Sequence, residues 1–166
     1  MNTMPGPDDA AAINPCAYLL TWSWRLVVTG RSHCPLLRTL LDDACGNKAG
    51  EVFRALCHFL CTLAQARRRR LEVNPPGYTE LTHDEKRLLA MIAAAQSDRP
   101  TLLDAHLCWI AHGERQQDLA RSVRILAAAL DATCLWLPIP DDHAPTQVGW
   151  REASIKQVVG MYGTPC

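Results

Sequence analysis

The chain has 166 residues, of which 48% are hydrophobic and 20% charged, and its 17 basic side chains are balanced by 17 acidic ones. This composition is too apolar for a disordered protein, and no stretch reaches the run of about 20 apolar residues that spans a bilayer. Zero formal net charge at pH 7 argues against a protein that coats a polyanion, because such binding rests on phosphate neutralisation. The expected class is a single soluble globular domain.

Eight cysteines are scattered along the chain with no CxxC pair. The first 12 residues carry Asp8 and Asp9 but no basic residue, so the charged region of a signal peptide is missing. We therefore expect free thiols in a reducing cytoplasm. The cysteines are Cys16, Cys34, Cys45, Cys57, Cys61, Cys108, Cys134 and Cys166.

The first half of the chain predicts three helices after a flexible leader, residues 1–14. A helix from Pro15 to about Thr29 is apolar on nearly every side, which is typical of a helix that is central or shared with another subunit. A short helix begins at Pro35, and Asn47 is predicted to cap a third helix over 48–67. The apolar arc of that third helix contains Val52, Phe53, Leu56, Leu60, Leu63 and Ala64, and these are its predicted core residues.

The second half predicts three more helices. Residues 70–81 contain a Pro-Pro-Gly sequence and form either an irregular loop or a short hairpin that pairs 70–73 with 78–81. Thr82 and Glu85 match a capping box at the start of a helix to about Ala95, and Pro100 lies near the start of a helix ending at Gly113. The last helix, over 114–135, has a core stripe of Leu119, Val123, Leu126, Leu130 and Cys134.

The predicted fold is an all-α irregular bundle of five to six helices. Residues 15–140 form the helical domain, and residues 141–166 form a tail with one short helix that packs on the domain or on a partner subunit.

Cys57, His58 and Cys61 span 100° of the third helix and could supply three ligands of a zinc site. Both cysteines also border the apolar arc, where small hydrophobes belong, and no second ligand pair follows at zinc-finger spacing. Core packing is the favoured interpretation, and no cofactor is predicted.

On the fifth helix, Asp104, Cys108 and His112 recur every four residues opposite an inner face that includes Trp109. This stripe could place a nucleophile near a base, or contribute metal ligands. One helix rarely supplies a complete catalytic unit, so a solvated face with an exposed thiol is favoured. His106, on the inner side, is expected to be a hydrogen-bonded core histidine.

The run Arg67, Arg68, Arg69 and Arg70 forms a local basic patch that could bind phosphate or an acidic partner. It also falls at a helix C-terminus, where cations complement the exposed carbonyl groups, and this structural role is favoured.

Residues 81–92, followed by 102–110, resemble the opening of winged helix-turn-helix regulators. The helix that would enter DNA has no Arg or Lys between Thr101 and His112, and no β-wing follows it. A DNA-binding regulator using residues 82–112 is therefore an alternative function, and nucleic acid is not the expected partner.

A second resemblance covers more of the chain. The order of helices, the LTxDE capping box at Leu81–Glu85 and the Leu88, Leu89, Ile92 and Ala93–Ala95 pattern resemble a family of small uncharacterised alphaproteobacterial proteins known only as a domain of unknown function. These are capping and core residues, so the resemblance implies a bacterial helical fold and transfers no catalytic residue.

The sequence has no Gly-rich phosphate loop, no GxSxG elbow, no HExxH and no EF-hand loop, which favours a non-enzymatic protein while leaving catalysis open. The first hypothesis is a cytoplasmic interaction or regulatory protein that self-associates or binds a protein partner, with no membrane contact. Its motivation is a surplus of aromatic residues near both ends: Tyr18, Trp22, Trp24, Trp136, Trp150 and Tyr162. A metal- or thiol-dependent protein is a further alternative.

Overall fold

The computed structural model describes residues 14–139. Within them lie six α-helices: α1 (Pro15–Val28), α2 (Pro35–Cys45), α3 (Ala49–Ala66), α4 (His83–Gln96), α5 (Pro100–Ile110) and α6 (Glu114–Asp131). A 3₁₀ turn, Gly46–Lys48, joins α2 to α3, and this part of the chain contains no β-strand. The predicted all-α bundle is confirmed. The predicted leader, apart from Asn14, and the predicted tail lie outside the described residues.

Side-chain caps fix where α1 and α4 begin. The Asn14 side chain accepts the Ala17 N–H at 2.9 Å, and a proline occupies the first position of α1. The capping box is formed as predicted, since Thr82 Oγ1 accepts the Glu85 N–H at 3.1 Å and Glu85 Oε2 accepts the Thr82 N–H at 2.9 Å. The cap predicted at Asn47 is wrong, because this residue lies in the 3₁₀ turn and α3 starts without a side-chain cap.

The last helix is shorter than predicted. Cys134 adopts a left-handed φ of 57°, and hydrogen bonds from the Cys134 N–H to Asp131 O and from the Leu135 N–H to Leu130 O complete a Schellman motif. Cys134 is therefore exposed, and its assignment to the core stripe is wrong. The chain instead turns back and buries Leu137, whose N–H donates to Gln96 Oε1 at 2.9 Å.

The core is centred on α3 and α6, the two 18-residue helices, which pack on each other most extensively. The other four residues of the predicted α6 stripe are fully buried. The predicted α3 face is partly wrong, because Phe53 and Leu60 are half-buried and Ala64 is exposed, whereas Phe59 is fully buried. Since α2 and α6 both cover α3, its buried arc is displaced from the one that hydrophobicity alone selects.

The two tryptophans of α1 are covered by the same chain. Trp22 is 3% exposed and Trp24 is 1% exposed, so neither supplies the apolar surface on which the self-association hypothesis drew. Within residues 14–139, Trp136 is the most exposed aromatic residue of that set, at 55%, and Tyr18 is half-buried.

The segment between α3 and α4 is the irregular loop, not the hairpin. Two adjacent prolines, Pro75 and Pro76, remove backbone donors at its turn. On its second half, the carbonyl oxygens of Tyr78 and Glu80 both accept hydrogen bonds from Arg25 of α1 and are not available to pair with a strand.

Candidate functional site

A buried ion pair joins α1 to the first turn of α4. Arg25 is the one charged residue of α1, and Glu85 is the third residue of α4. Arg25 Nε donates to Glu85 Oε1 and Arg25 Nη2 donates to Glu85 Oε2, both at 2.7 Å, and the two side chains are 1% and 0% exposed. Two parallel N–H···O bonds of this kind are the strongest geometry that an arginine and a carboxylate can form.

The same arginine fixes the loop between α3 and α4. Its Nη1 donates to Tyr78 O and its Nη2 to Glu80 O, each at 2.7 Å. Trp24 Nε1 adds a hydrogen bond to Glu85 Oε1 at 3.3 Å. With both charges paired and hydrogen-bonded, the cluster avoids the penalty of an isolated buried ion and holds the loop against α1.

A second arginine–carboxylate pair lies next to the first and joins the exposed Arg69 to the buried Asp84. Arg69 donates from Nη2 to Asp84 Oδ1 at 2.6 Å and from Nη1 to Asp84 Oδ2 at 2.8 Å, and the Glu72 N–H donates to Asp84 Oδ2 at 2.8 Å. The hydrogen bonds from Arg69 hold the pKa of Asp84 below its usual value, and the same bonds raise the pKa of Arg69. Asp84 thereby attaches the start of the loop to α4.

Trp109 of α5 lies beneath two guanidinium groups. Arg69 sits 4.8 Å and Arg87 4.2 Å from the centroid of its ring. Arg68 donates to the carbonyl oxygen of Cys108 in the same helix. The predicted placement of Trp109 on the inner face is thus only partly right: the ring is half-buried, and arginines cover its outer side.

These contacts place the arginine run on one wall of an open groove between the C-terminal ends of α1 and α3 and the loop that follows α3. The groove has a cavity volume of about 1240 Å³. We call it the arginine groove. Its lining combines four arginines and one acidic residue with an apolar floor: Trp24, Val28, Thr29, Leu60, Leu63, Ala64, Arg67, Arg68, Arg69, Arg70, Leu71, Glu72, Val73, Asn74, Thr82 and Leu88.

The candidate metal residues of α3 are solvent-facing to different degrees. Cys57 is half-buried, whereas His58 and Cys61 are exposed. Burial, and then the nearby Cys61, raise the pKa of the Cys57 thiol. Core packing is therefore wrong for Cys61. Residues 14–139 contain no group of three or more His, Cys, Asp or Glu side chains arranged to hold a metal ion.

The candidate polar stripe of α5 is shorter than predicted. Asp104 and Cys108 are exposed on the helix, but His112 lies beyond it, because α5 ends at Ile110. Gln116 Nε2 lies 3.4 Å from Cys108 Sγ and donates to it. The three residues thus do not form one helical stripe. His106 is half-buried.

The sequence did not predict the Arg25–Glu85 cluster, nor that Asp84 accepts hydrogen bonds from Arg69 and from the Glu72 N–H. The available signal was a lone arginine in an apolar helix, since a charge there must find a buried partner. Its partner, about 60 residues away, could not be read from spacing.

Comparison with family models, curated proteins and solved structures gave no match to this chain. The resemblance to the alphaproteobacterial family therefore stays a prediction. No helix within residues 14–139 is both long and apolar enough to cross a membrane.

Proposed function

We propose that this protein is a non-enzymatic helical interaction protein that binds an acidic segment of a protein partner in the arginine groove. The observation that carries the proposal is a difference within the arginine run. Arg68 and Arg69 are bonded to the fold, whereas the side chains of Arg67 and Arg70 form no hydrogen bond or ion pair with any residue of the described part. Two open guanidinium groups, Arg67 and Arg70, thus flank two that are fixed to the fold.

The chemistry of the groove favours carboxylates on a polypeptide. A guanidinium fork matches a carboxylate in two parallel hydrogen bonds. The exposed Val28 and Ala64 and the half-buried Leu60 line the same groove and offer apolar contacts that a phosphate backbone does not use. The zero net charge of the chain also gives little long-range attraction for nucleic acid. The exposed face of α5, with Asp104 and no Arg or Lys in that helix, does not favour the DNA-regulator alternative.

We further propose that the protein acts in the bacterial cytoplasm, which the free thiols of the seven cysteines within residues 14–139 support. The partner is another protein. Self-association remains a separate hypothesis, now resting on Trp136 rather than on α1. Light scattering at micromolar concentration tests it, and a monomer at all concentrations would exclude it.

The central test is binding of labelled poly-L-glutamate, followed by fluorescence anisotropy at low salt. The double variant Arg67→Glu, Arg70→Glu should bind at least about tenfold more weakly, because it replaces two open cations with anions. The matched control is Arg54→Glu, Arg124→Glu. Both of these residues are exposed, and their side chains make no hydrogen bond or ion pair within the described part. Their replacement by glutamate changes the net charge by the same amount as the first double variant.

Equal loss in the two double variants would contradict the proposal, since it would show a non-specific charge effect. Tighter binding of a random-sequence DNA duplex than of poly-L-glutamate at the same salt would also overturn it, in favour of the nucleic-acid alternative.

A further inference from the structure

In the loop that follows α3, a residue whose backbone groups are hydrogen-bonded lies between two residues whose backbone groups are not. Glu72 is bonded inward through both of its backbone groups, its N–H to Asp84 Oδ2 at 2.8 Å and its C=O to Thr82 Oγ1 at 2.6 Å. The neighbours on each side, Leu71 and Val73, make no backbone hydrogen bond to any residue of the described part. In an extended segment both backbone groups of a residue point to the same side, so this alternation is the pattern expected if residues 71–73 lie extended with one edge held and the other open.

The open edge has no partner within the loop. The hairpin that would have paired it is prevented because Arg25 takes the carbonyl oxygens of Tyr78 and Glu80. Meanwhile the side chains of Leu71 and Val73 pack against the core, which fixes the segment in place. A short segment held against the core, whose outer N–H and C=O groups pair with no described residue, is a template for strand addition.

This edge borders the arginine groove, which both residues help to line. We propose that the acidic partner binds in extended conformation and adds a β-strand along residues 70–74. The inference rests on the proposed function and specifies how the partner lies in the groove. Backbone hydrogen bonds to Leu71 and Val73 give the peptide its direction, while Arg67 and Arg70 select acidic side chains.

The groove also defines the pattern of the partner. Side chains of a strand alternate between two faces, so a peptide on this edge presents every second residue to the groove floor. Val28, which is 54% exposed, and the half-buried Leu60 form apolar contacts there. The expected ligand therefore alternates acidic and apolar residues over about five positions.

The test uses a capped nine-residue peptide of alternating Glu and Val. Two derivatives carry backbone N-methyl groups, one on all valines and the other on all glutamates. Strand addition uses the N–H groups of only one of the two sets, so one derivative should bind at least about tenfold more weakly while the other stays close to the parent peptide. Equal binding by both derivatives, whether retained or lost, would overturn the inference.

A protein variant gives a second measurement. Val73→Pro removes an N–H that no described residue uses, and Val73→Ala keeps that N–H while trimming the side chain. The proline variant should bind the parent peptide about tenfold more weakly than the alanine variant, with circular dichroism confirming that both are folded. If the proline variant does not fold, binding of the two methylated peptides to the unaltered protein tests strand addition.

The two proposals fail in different ways. If peptide binding depends on Arg67 and Arg70 but is unchanged by N-methylation and by Val73→Pro, strand addition is wrong. The proposal of an acidic partner is then still supported. If binding is unaffected by Arg67→Glu, Arg70→Glu, the proposed function itself is wrong.

Discussion

Asp84 and Glu85 are adjacent buried residues, and each accepts two hydrogen bonds from an arginine, yet the two arginines differ in their exposure to water. Glu85 and its partner Arg25 are both removed from water, whereas Arg69 is 50% exposed although its partner Asp84 is only 6% exposed. In the buried pair, loss of one partner leaves a charge without water. In the second pair, water can reach the guanidinium of Arg69 when its partner is lost. The difference indicates that the first pair holds the fold and that the second positions the wall of the arginine groove.

The largest effect should follow from Glu85→Gln. This change leaves the guanidinium of Arg25 buried with a neutral partner, and the free energy of unfolding should fall by about 3–5 kcal/mol. Urea denaturation followed by circular dichroism measures it. The double variant Arg25→Met, Glu85→Gln should lose less than the two single changes together, because the uncompensated charge is gone. A loss below about 1 kcal/mol for Glu85→Gln would contradict the role of the pair.

A smaller effect should appear as a pH dependence that belongs to Asp84. Its pKa in the folded protein is lowered, chiefly by the hydrogen bonds from Arg69, so its stabilising contribution is complete above the unfolded value of about 3.9. That contribution is lost as the pH falls through the lower folded value. Unfolding free energies of the parent and of Asp84→Asn, compared between pH 6 and pH 2, should therefore converge in acid. A constant difference across this range would exclude the linkage.

A still smaller loss is expected from Arg87→Gln. Arg87 is exposed and contacts the ring of Trp109, an arrangement that contributes about 0.5–1 kcal/mol at the surface. The same denaturation experiment measures the change, and Arg124→Gln is the control, because Arg124 is exposed and has no cation–π contact within the described residues. A loss as large as that of Glu85→Gln would show that the surface side of α4 also holds the fold.

The last prediction involves no change in stability. Amide hydrogen exchange should be slower at Glu72, whose N–H is held by Asp84, than at Leu71 and Val73, by at least about tenfold in protection factor. NMR exchange in the free protein measures all three amides. Uniform exchange across the segment would contradict the alternation on which strand addition depends.

Several local features could be predicted because their causes lie within a few residues. Pro15, Pro35 and Pro100 mark helix starts, and the Thr82–Glu85 box forms as expected, since a cap needs only its own turn. The α6 stripe from Leu119 to Leu130 is buried because one helix face follows directly from a period of 3.6 residues.

Other features could not be predicted, because they depend on distant partners. Phe59 is buried and Phe53 only partly, since α2 and α6 together decide which arc of α3 is covered. The end of α6 depends on the positive φ of Cys134, a conformation that residues other than Gly seldom adopt, so the sequence gives little signal for it. Of the candidate site, the sequence predicted the four consecutive arginines. It did not predict the groove that they line.

By itself the sequence determined the helical class, most helix boundaries and the presence of four consecutive arginines, because propensity, capping and periodicity act over one or two turns. Only the tertiary structure decided that Arg25 pairs with Glu85, that this arginine takes two carbonyl oxygens from the predicted hairpin, and that Arg67 and Arg70 remain open. The reason is that burial determines which charges must be paired, and burial is set by elements far apart in the chain.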